Sequence, residues 1–344
     1  MLCQLHRDFA QVVFKPAAVT TMQSQVLYCH GGGRLGNQVL RFVHWIAWAR
    51  AHPGEVEVLN LAFWPYANLF ATWREHPGCV FPLRSGSPDT LARQREAWPK
   101  RLRDWSESRT RLGRVVQAAG HWWPSWQAID LDIVGEESID LDSPAFLTRV
   151  ARRPVTTCCG WKISCWGLVA AHQVELKKYF RPAPEFELRA AEFIAEVRRG
   201  CDVVVGMLIR QSDYREWNDG RFCFSSDQYA AWIDQLVALH GGRRVAVVIA
   251  SEVRQDPAIF AGRPCYFATG TLNAGGHWFE SWVELSLCDI IVSPPSTFSA
   301  TAAFLGGIPL WPVGSPGQTM AFDQMIDGGL AGAARHPIFS RAVK

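Results

Sequence analysis

The chain contains one stretch that restricts its fold more than any other. Val203-Val204-Val205-Gly206-Met207-Leu208-Ile209 is almost continuously apolar and ends abruptly at Arg210-Gln211-Ser212-Asp213. A strand apolar on both faces belongs inside a parallel sheet covered on both sides, so the run predicts an α/β architecture. In open sheets of that kind, ligands bind beyond the carboxyl ends of the strands. Arg210 falls there, and a guanidinium matches two phosphate oxygens at once. The alternative is an Arg210–Asp213 ion pair that closes a turn.

The same rhythm occurs on both sides of this run. Residues 25–29 read as a first strand, followed by the glycine-rich turn His30-Gly31-Gly32-Gly33-Arg34-Leu35-Gly36-Asn37-Gln38 and a helix from about Asn37 to Ala51. Glu55–Leu61 returns as a strand, completing a βαβ beginning. Val155–Ile163 reads as another strand and Val169–Tyr179 as a helix. Pro182 and Pro184 read as a hinge. Beyond it, Glu185–Arg199, Asp227–His240 and Phe279–Leu287 read as helices, and Arg244–Ala250, Asp289–Val292 and Ile308–Val313 as strands. Pro294-Pro295 forces a turn, and Ser296 is placed to cap a helix through Leu305. The expected organisation is an N-terminal extension over 1–21, a Rossmann-like domain over 22–180, and a second Rossmann-like domain over 181–344. Their parallel sheets would face each other across a cleft, the default ligand site.

Composition narrows the function classes. With 344 residues, about two domains fit. A net charge of +3 gives no argument for nucleic acid. Sixteen tryptophans are many, and most are expected in the core. No apolar run is long enough for a transmembrane helix, and the first 21 residues make a poor signal peptide, so Met22 is a candidate start. The ten cysteines show no zinc-site spacing, and adjacent Cys158 and Cys159 could bridge each other only with strain. Reduced thiols and a cytoplasmic location are the expectation.

Several motifs compete for a chemical role. Gly31-x-Gly33-x-x-Gly36 fits the dinucleotide fingerprint, and Glu55 and Glu57 follow at about the distance of a ribose contact. Arg34, Asn37 and Gln38 add polar side chains to that turn. Ser296-Thr297-Phe298-Ser299 offers hydroxyls and amides at a helix start, a phosphate site in principle and a simple N-cap otherwise. Arg210 and this helix start would clamp a diphosphate from two sides. The arginines within 84–115, around Trp98 and Trp105, read as a solvated face or as a groove for an anionic acceptor. Asp130-Leu131-Asp132 and Asp140-Leu141-Asp142 have the form of a metal-chelating DxD but lie in acidic loops, and no metal is expected. No P-loop occurs.

Gly33-Arg34-Leu35-Gly36-Asn37-Gln38 resembles the G-x-x-G-N-Q motif of the bacterial α-1,2-fucosyltransferases and their superfamily, which includes protein O-fucosyltransferases and Nod-factor α-1,6-fucosyltransferases. Leu208-Ile209-Arg210-Gln211-Ser212-Asp213-Tyr214 resembles that family's H-x-R-x-x-D motif. Ser293 with Ser296-Thr297-Phe298-Ser299 resembles its third motif. The similarity spans about Gln25 to Val313. It implies a two-domain GT-B glycosyltransferase using GDP-fucose without metal or other cofactor. By resemblance, Arg210 meets the diphosphate, Ser293, Ser296, Thr297 and Phe298 line it, and Gly36 and Asn37 lie across the cleft with Arg34 and Gln38. The family histidine is Leu208 here, which puts the donor in question, and Ala300 and Ala302 replace bulky aromatics.

The reaction expected is inverting transfer of fucose to a galactoside or other glycan hydroxyl, with Asp213 and then Glu216 as candidate bases. The acceptor expected is a free or lipid-linked glycan met without a membrane span. An NAD(P)-dependent oxidoreductase, or a non-catalytic protein that binds nucleotide sugars or glycans, are the alternatives.

Overall fold

The computed structural model describes residues 24–30, 33–60, 62–71, 79–80, 126–131 and 138–330. They fall into two compact units. Of the described residues, one unit includes 24–30, 44–60, 62–67, 79–80, 126–131 and 138–168; the other includes 33–43, 68–71 and 169–330. The helix Leu35–Ala51 therefore begins in the second unit and continues, from His44, in the first.

The first unit is built on a parallel sheet. Its strands are β1 (Ser24–His30), β2 (Val56–Asn60), β3 (Cys79–Val80), β4 (Trp126–Asp130) and β6 (Val155–Cys159), in the order β3-β2-β1-β6-β4. β5 (Ile139–Asp140) and β7 (Ile163–Ser164) form a separate parallel pair. The expected strand Val155–Ile163 is thus two pieces. Gly160 breaks it with φ +118°, and its carbonyl accepts a 2.8 Å bond from the Tyr28 hydroxyl. Trp45 and Trp48 are fully buried and pack edge-on at 5.7 Å.

The second unit carries β8 (Val203–Ile209), β9 (Val245–Ser251), β10 (Cys265–Phe267), β11 (Ile290–Ser293) and β12 (Leu310–Pro312). All pairings are parallel, in the order β10-β9-β8-β11-β12. Every residue of β8 and β9 is buried, as their uninterrupted Val and Ile content requires. Trp232, Trp282 and Trp311 are fully buried here, so these tryptophans are core residues. Counting from β8, the chain lays down three strands in one direction and then returns to the other side of β8. The connection thus reverses between β8 and β11, where a doubly wound sheet opens its crevice.

Three local outcomes differ from the sequence pattern. The helix expected over Val169–Tyr179 is two short ones, Trp166–Ala171 and Gln173–Lys178, interrupted at His172, whose φ/ψ of −109°/14° leaves the helical region. Pro182, expected in a hinge, lies in an antiparallel bridge with Phe70, flanked by bonds from Ala71 N–H to the Arg181 carbonyl (2.9 Å) and from Ala183 N–H to the Leu69 carbonyl (2.8 Å). Pro184 then opens the helix Pro184–Arg198, a position where its missing N–H costs nothing. Strands β3, β4 and β10 are too short or too mixed in polarity to stand out in the sequence.

Cys29, Cys158, Cys159, Cys165, Cys201, Cys223, Cys265 and Cys288 are free thiols. No described helix is long and apolar enough to cross a membrane. Residues 1–21, Met22, Gly31, Gly32, Asp132 and the arginines of 84–115 lie outside the described residues. Of the acidic triplets, Asp140 binds the Asp142 N–H at 3.0 Å, and Asp142 lies 3.7 Å from His52, while Leu141 is fully buried. No described group of three His, Cys, Asp or Glu side chains is arranged to hold a metal.

Candidate functional site

Arg210 is the first residue beyond β8. Its side chain is only 12% exposed, so its charge must be met by neighbours. Asp213 meets it at 2.7 Å and Glu252, just beyond β9, at 3.5 Å. The turn-closing ion pair read from the sequence therefore exists, with a second carboxylate that the sequence did not reveal. Glu252 also accepts bonds from Gln211 N–H (2.9 Å), Ser212 N–H (3.1 Å) and the Ser212 hydroxyl (3.0 Å), fixing the loop that carries Arg210.

Tyr214 connects this loop to the neighbouring strand end. The Arg210 guanidinium lies 4.7 Å from the centre of the Tyr214 ring, a cation–π distance. The Tyr214 hydroxyl donates to the Pro295 carbonyl. Burial pushes its phenol above the ordinary tyrosine range, with Arg210 and Ser296 acting in the opposite direction. Arg210 and the Pro294-Pro295-Ser296 turn beyond β11 thus share one tyrosine at the place where the sheet's connection reverses.

The turn beyond β11 leads into the helix Thr297–Gly306. Ser296 caps it, its Oγ accepting the Phe298 N–H at 3.3 Å. Ser293 is fully buried: its hydroxyl donates to the Pro294 carbonyl at 2.5 Å and accepts from Ser299 Oγ at 2.8 Å. These bonds give Ser293 the task of shaping the turn. Thr297 and Phe298 are half-buried and stand at the helix tip.

The glycine turn meets that tip. A Cβ on Gly36 would lie 2.5 Å from Phe298 N and 2.5 Å from the Thr297 carbonyl carbon, so only glycine fits. Gly33 has φ +74°, and the Asn37 side chain covers it: a Cβ there would lie 2.0 Å from Asn37 Nδ2. Gln38 is buried. Arg34 is exposed and reaches to 3.9 Å of Asp213, a separation at which an exposed pair contributes little to stability. Asp213 therefore lies between two arginines.

Other expected residues take no part in these side-chain bonds. The exposed Glu216 makes no side-chain hydrogen bond or ion pair with the described residues. Leu208 is 3% exposed inside β8, so its side chain belongs to the core. Glu55 and Glu57 correct the ribose expectation. Glu55 precedes β2 and Glu57 is its second residue, at the amino end of a strand whose carboxyl end is Asn60. A ribose contact needs an acid at the carboxyl end, beside the turn after β1.

Sequence reasoning also missed the carboxylates beneath the loop after β10. Glu284, on the helix Trp278–Ser286, is fully buried and accepts bonds from the Thr269 N–H (3.0 Å) and hydroxyl. Burial, with nearby Glu280, raises its pKa from 4.5 to about 7. The folded state thus binds a proton more tightly than the unfolded chain, so this contribution is complete below about pH 4.5 and is lost as pH rises through about 7. Urea midpoints for the wild type are expected to fall between pH 5.5 and pH 8, and Glu284→Gln is expected to flatten that decline.

No family model matches the chain, and no curated protein matches it. Solved structures do. A mutant of Arabidopsis thaliana FUT1 in complex with GDP aligns at 13% identity with a TM-score of 0.50, over 93% of this chain and 76% of that one. The fucosyltransferase NodZ from Bradyrhizobium aligns at 15% identity with a TM-score of 0.50, over 89% of this chain and 99% of that one. NodZ soaked with GDP-fucose gives the same values, a TM-score of 0.50 at 15% identity. The fold is the α/β, two-domain Rossmann-like fold of the GT-B glycosyltransferases.

Proposed function

We propose that the chain is a glycosyltransferase that takes its sugar from a nucleoside diphosphate, with GDP-fucose as donor and a glycan hydroxyl, such as that of a galactoside, as acceptor. One observation carries the reading. Arg210 and the capped helix tip at Ser296–Phe298 stand beyond adjacent strands β8 and β11, joined through Tyr214. The bond from the sugar C1 to the phosphate oxygen breaks, the acceptor oxygen bonds to C1 with inversion, and the acceptor proton passes to a carboxylate. The charge developing on the diphosphate is met by Arg210, with Arg34 beside it, and by the helix tip. Asp213, between the two arginines, fits the orienting role, and the exposed Glu216 is a loop carboxylate free of side-chain bonds to the described residues. The fucose identity rests on the motif resemblance and on the fold shared with fucosyltransferases.

The oxidoreductase alternative is disfavoured by the placement of Glu55 and Glu57 and by the use of Gly36 to admit the helix tip. A thermal-shift screen separates the readings. GDP-fucose is expected to raise the melting temperature and NAD to leave it unchanged, because only a ligand that binds the folded state stabilises it. Transfer from GDP-fucose to oligosaccharide acceptors is expected to proceed equally with EDTA. Loss of turnover in chelator, restored by a divalent cation, would remove the metal-free mechanism. Stabilisation by NAD alone would remove the glycosyltransferase reading.

A further inference from the structure

The loops beyond β8, β9 and β10 are joined through one buried residue. Gln255, four residues past β9, is 2% exposed, yet all its polar groups are used. Its Nε2 donates to Gln211 Oε1 (2.9 Å), Ser251 Oγ (3.0 Å) and the Val253 carbonyl (3.2 Å), sharing two N–H groups among three acceptors. Its Oε1 accepts from Ser226 Oγ at 2.7 Å. Its backbone is held by Asn273, which accepts the Gln255 N–H at 3.0 Å and donates to the Gln255 carbonyl at 2.9 Å. Gln211, adjacent to Arg210, in turn donates from its side chain to the Phe224 carbonyl at 2.9 Å. A fully satisfied buried polar network imposes one arrangement on its members, because any shift leaves a polar group unpaired. An apolar side chain of the same length would fill this space without that constraint.

We propose that Gln255 is a positioning residue for transfer: by gripping the Gln211 amide it sets the direction in which Arg210 leaves β8. The inference rests on the reading of Arg210 as the group that meets the diphosphate. Gln255→Met keeps the length and removes the amide. It is expected to lower kcat/KM for the donor at least about tenfold, within the roughly 10²-fold that a misplacement of about 1 Å can cost, and to leave the acceptor KM unchanged. Backbone amides over residues 210–215 are expected to exchange hydrogen faster, with the rest of β8 and β9 unaffected. Combined with Gln211→Ala, it is expected to cost no more than the larger single change, because both remove one linkage. Additive losses, or a donor kcat/KM within about twofold of wild type in Gln255→Met, would overturn the proposal. If Gln255→Met fails to fold, Gln211→Ala, which breaks the same bond from the half-buried side, carries the test alone. If the wild type transfers no sugar, the glycosyltransferase reading falls, and the exchange measurement still decides: unchanged rates over 210–215 would end the coupling.

Discussion

Arg210→Ala is expected to lower kcat/KM for transfer by about 10²–10³-fold, the usual cost of removing one preorganised group from a developing anion. The fold is expected to survive. β8 is buried along its whole length, and Arg210 lies past its end. Glu252 would lose its 3.5 Å approach to the guanidinium but keep its bonds to the Gln211 and Ser212 amides, so the loop stays anchored. Arg210→Lys is expected to recover only part of the loss, because an ammonium keeps the charge without the planar fork. Initial rates over a donor series, with circular-dichroism melting as the fold check, measure both. A folded Arg210→Ala variant retaining more than about a tenth of wild-type activity would contradict the role given to this residue.

Gly36→Ala is expected to lower both stability and transfer. Its Cβ would fall 2.5 Å from Phe298 N and 2.7 Å from the Thr297 carbonyl oxygen, both of them backbone atoms. No rotamer can relieve that overlap, so the helix tip or the glycine turn must move. Overpacking of this kind typically costs about 1–3 kcal/mol. For a unit of about 150–250 residues each kcal/mol lowers the melting temperature by about 2–4 °C, and by less if the whole chain unfolds together. Activity is expected to fall further than stability, since the displaced tip belongs to the proposed anion clamp. At Gly33 the group in the way is Asn37, whose amide can rotate while its Cβ, 2.7 Å away, cannot, and φ is +74°, so the cost there should fall on stability and spare the helix tip. Melting temperature and donor kcat/KM of the two variants, measured side by side, check the ranking. An equal loss of donor kcat/KM at Gly33 and Gly36 would mean that the approach of the helix tip is not what requires glycine at 36.

Much of the second sheet was legible because its strands are buried on both faces. Val203–Ile209 and the Val/Ile run ending at Ser251 admit no other reading. Ser296 was legible as a cap because a hydroxyl after two prolines and before an apolar run has few other uses. Short strands were not. Cys265–Phe267 alternates only half-buried and exposed residues, so no hydrophobic period marks it. The break at His172 was also hidden, because the residues on both sides of it carry ordinary helical composition.

The candidate site divides in the same way. Arg210, Asp213, Gly36 and Ser296 were visible as residue types at the ends of elements, where local chemistry alone assigns a polar or glycine residue a task. Their grouping was not visible. Tyr214 joins Arg210 to Pro295 across 81 positions of sequence, and Glu252 and Gln255 join the Arg210 loop across 40 or more. Such partners are set by which strands become neighbours, and the order β10-β9-β8-β11-β12 is a property of the assembled sheet. By itself, the sequence determined where strands end and which side chains emerge there, because burial and backbone geometry act over a few residues. Only the tertiary structure decided that the ends of β8 and β11 stand together, and that Gly36 is glycine because a helix tip fills the space where its side chain would be.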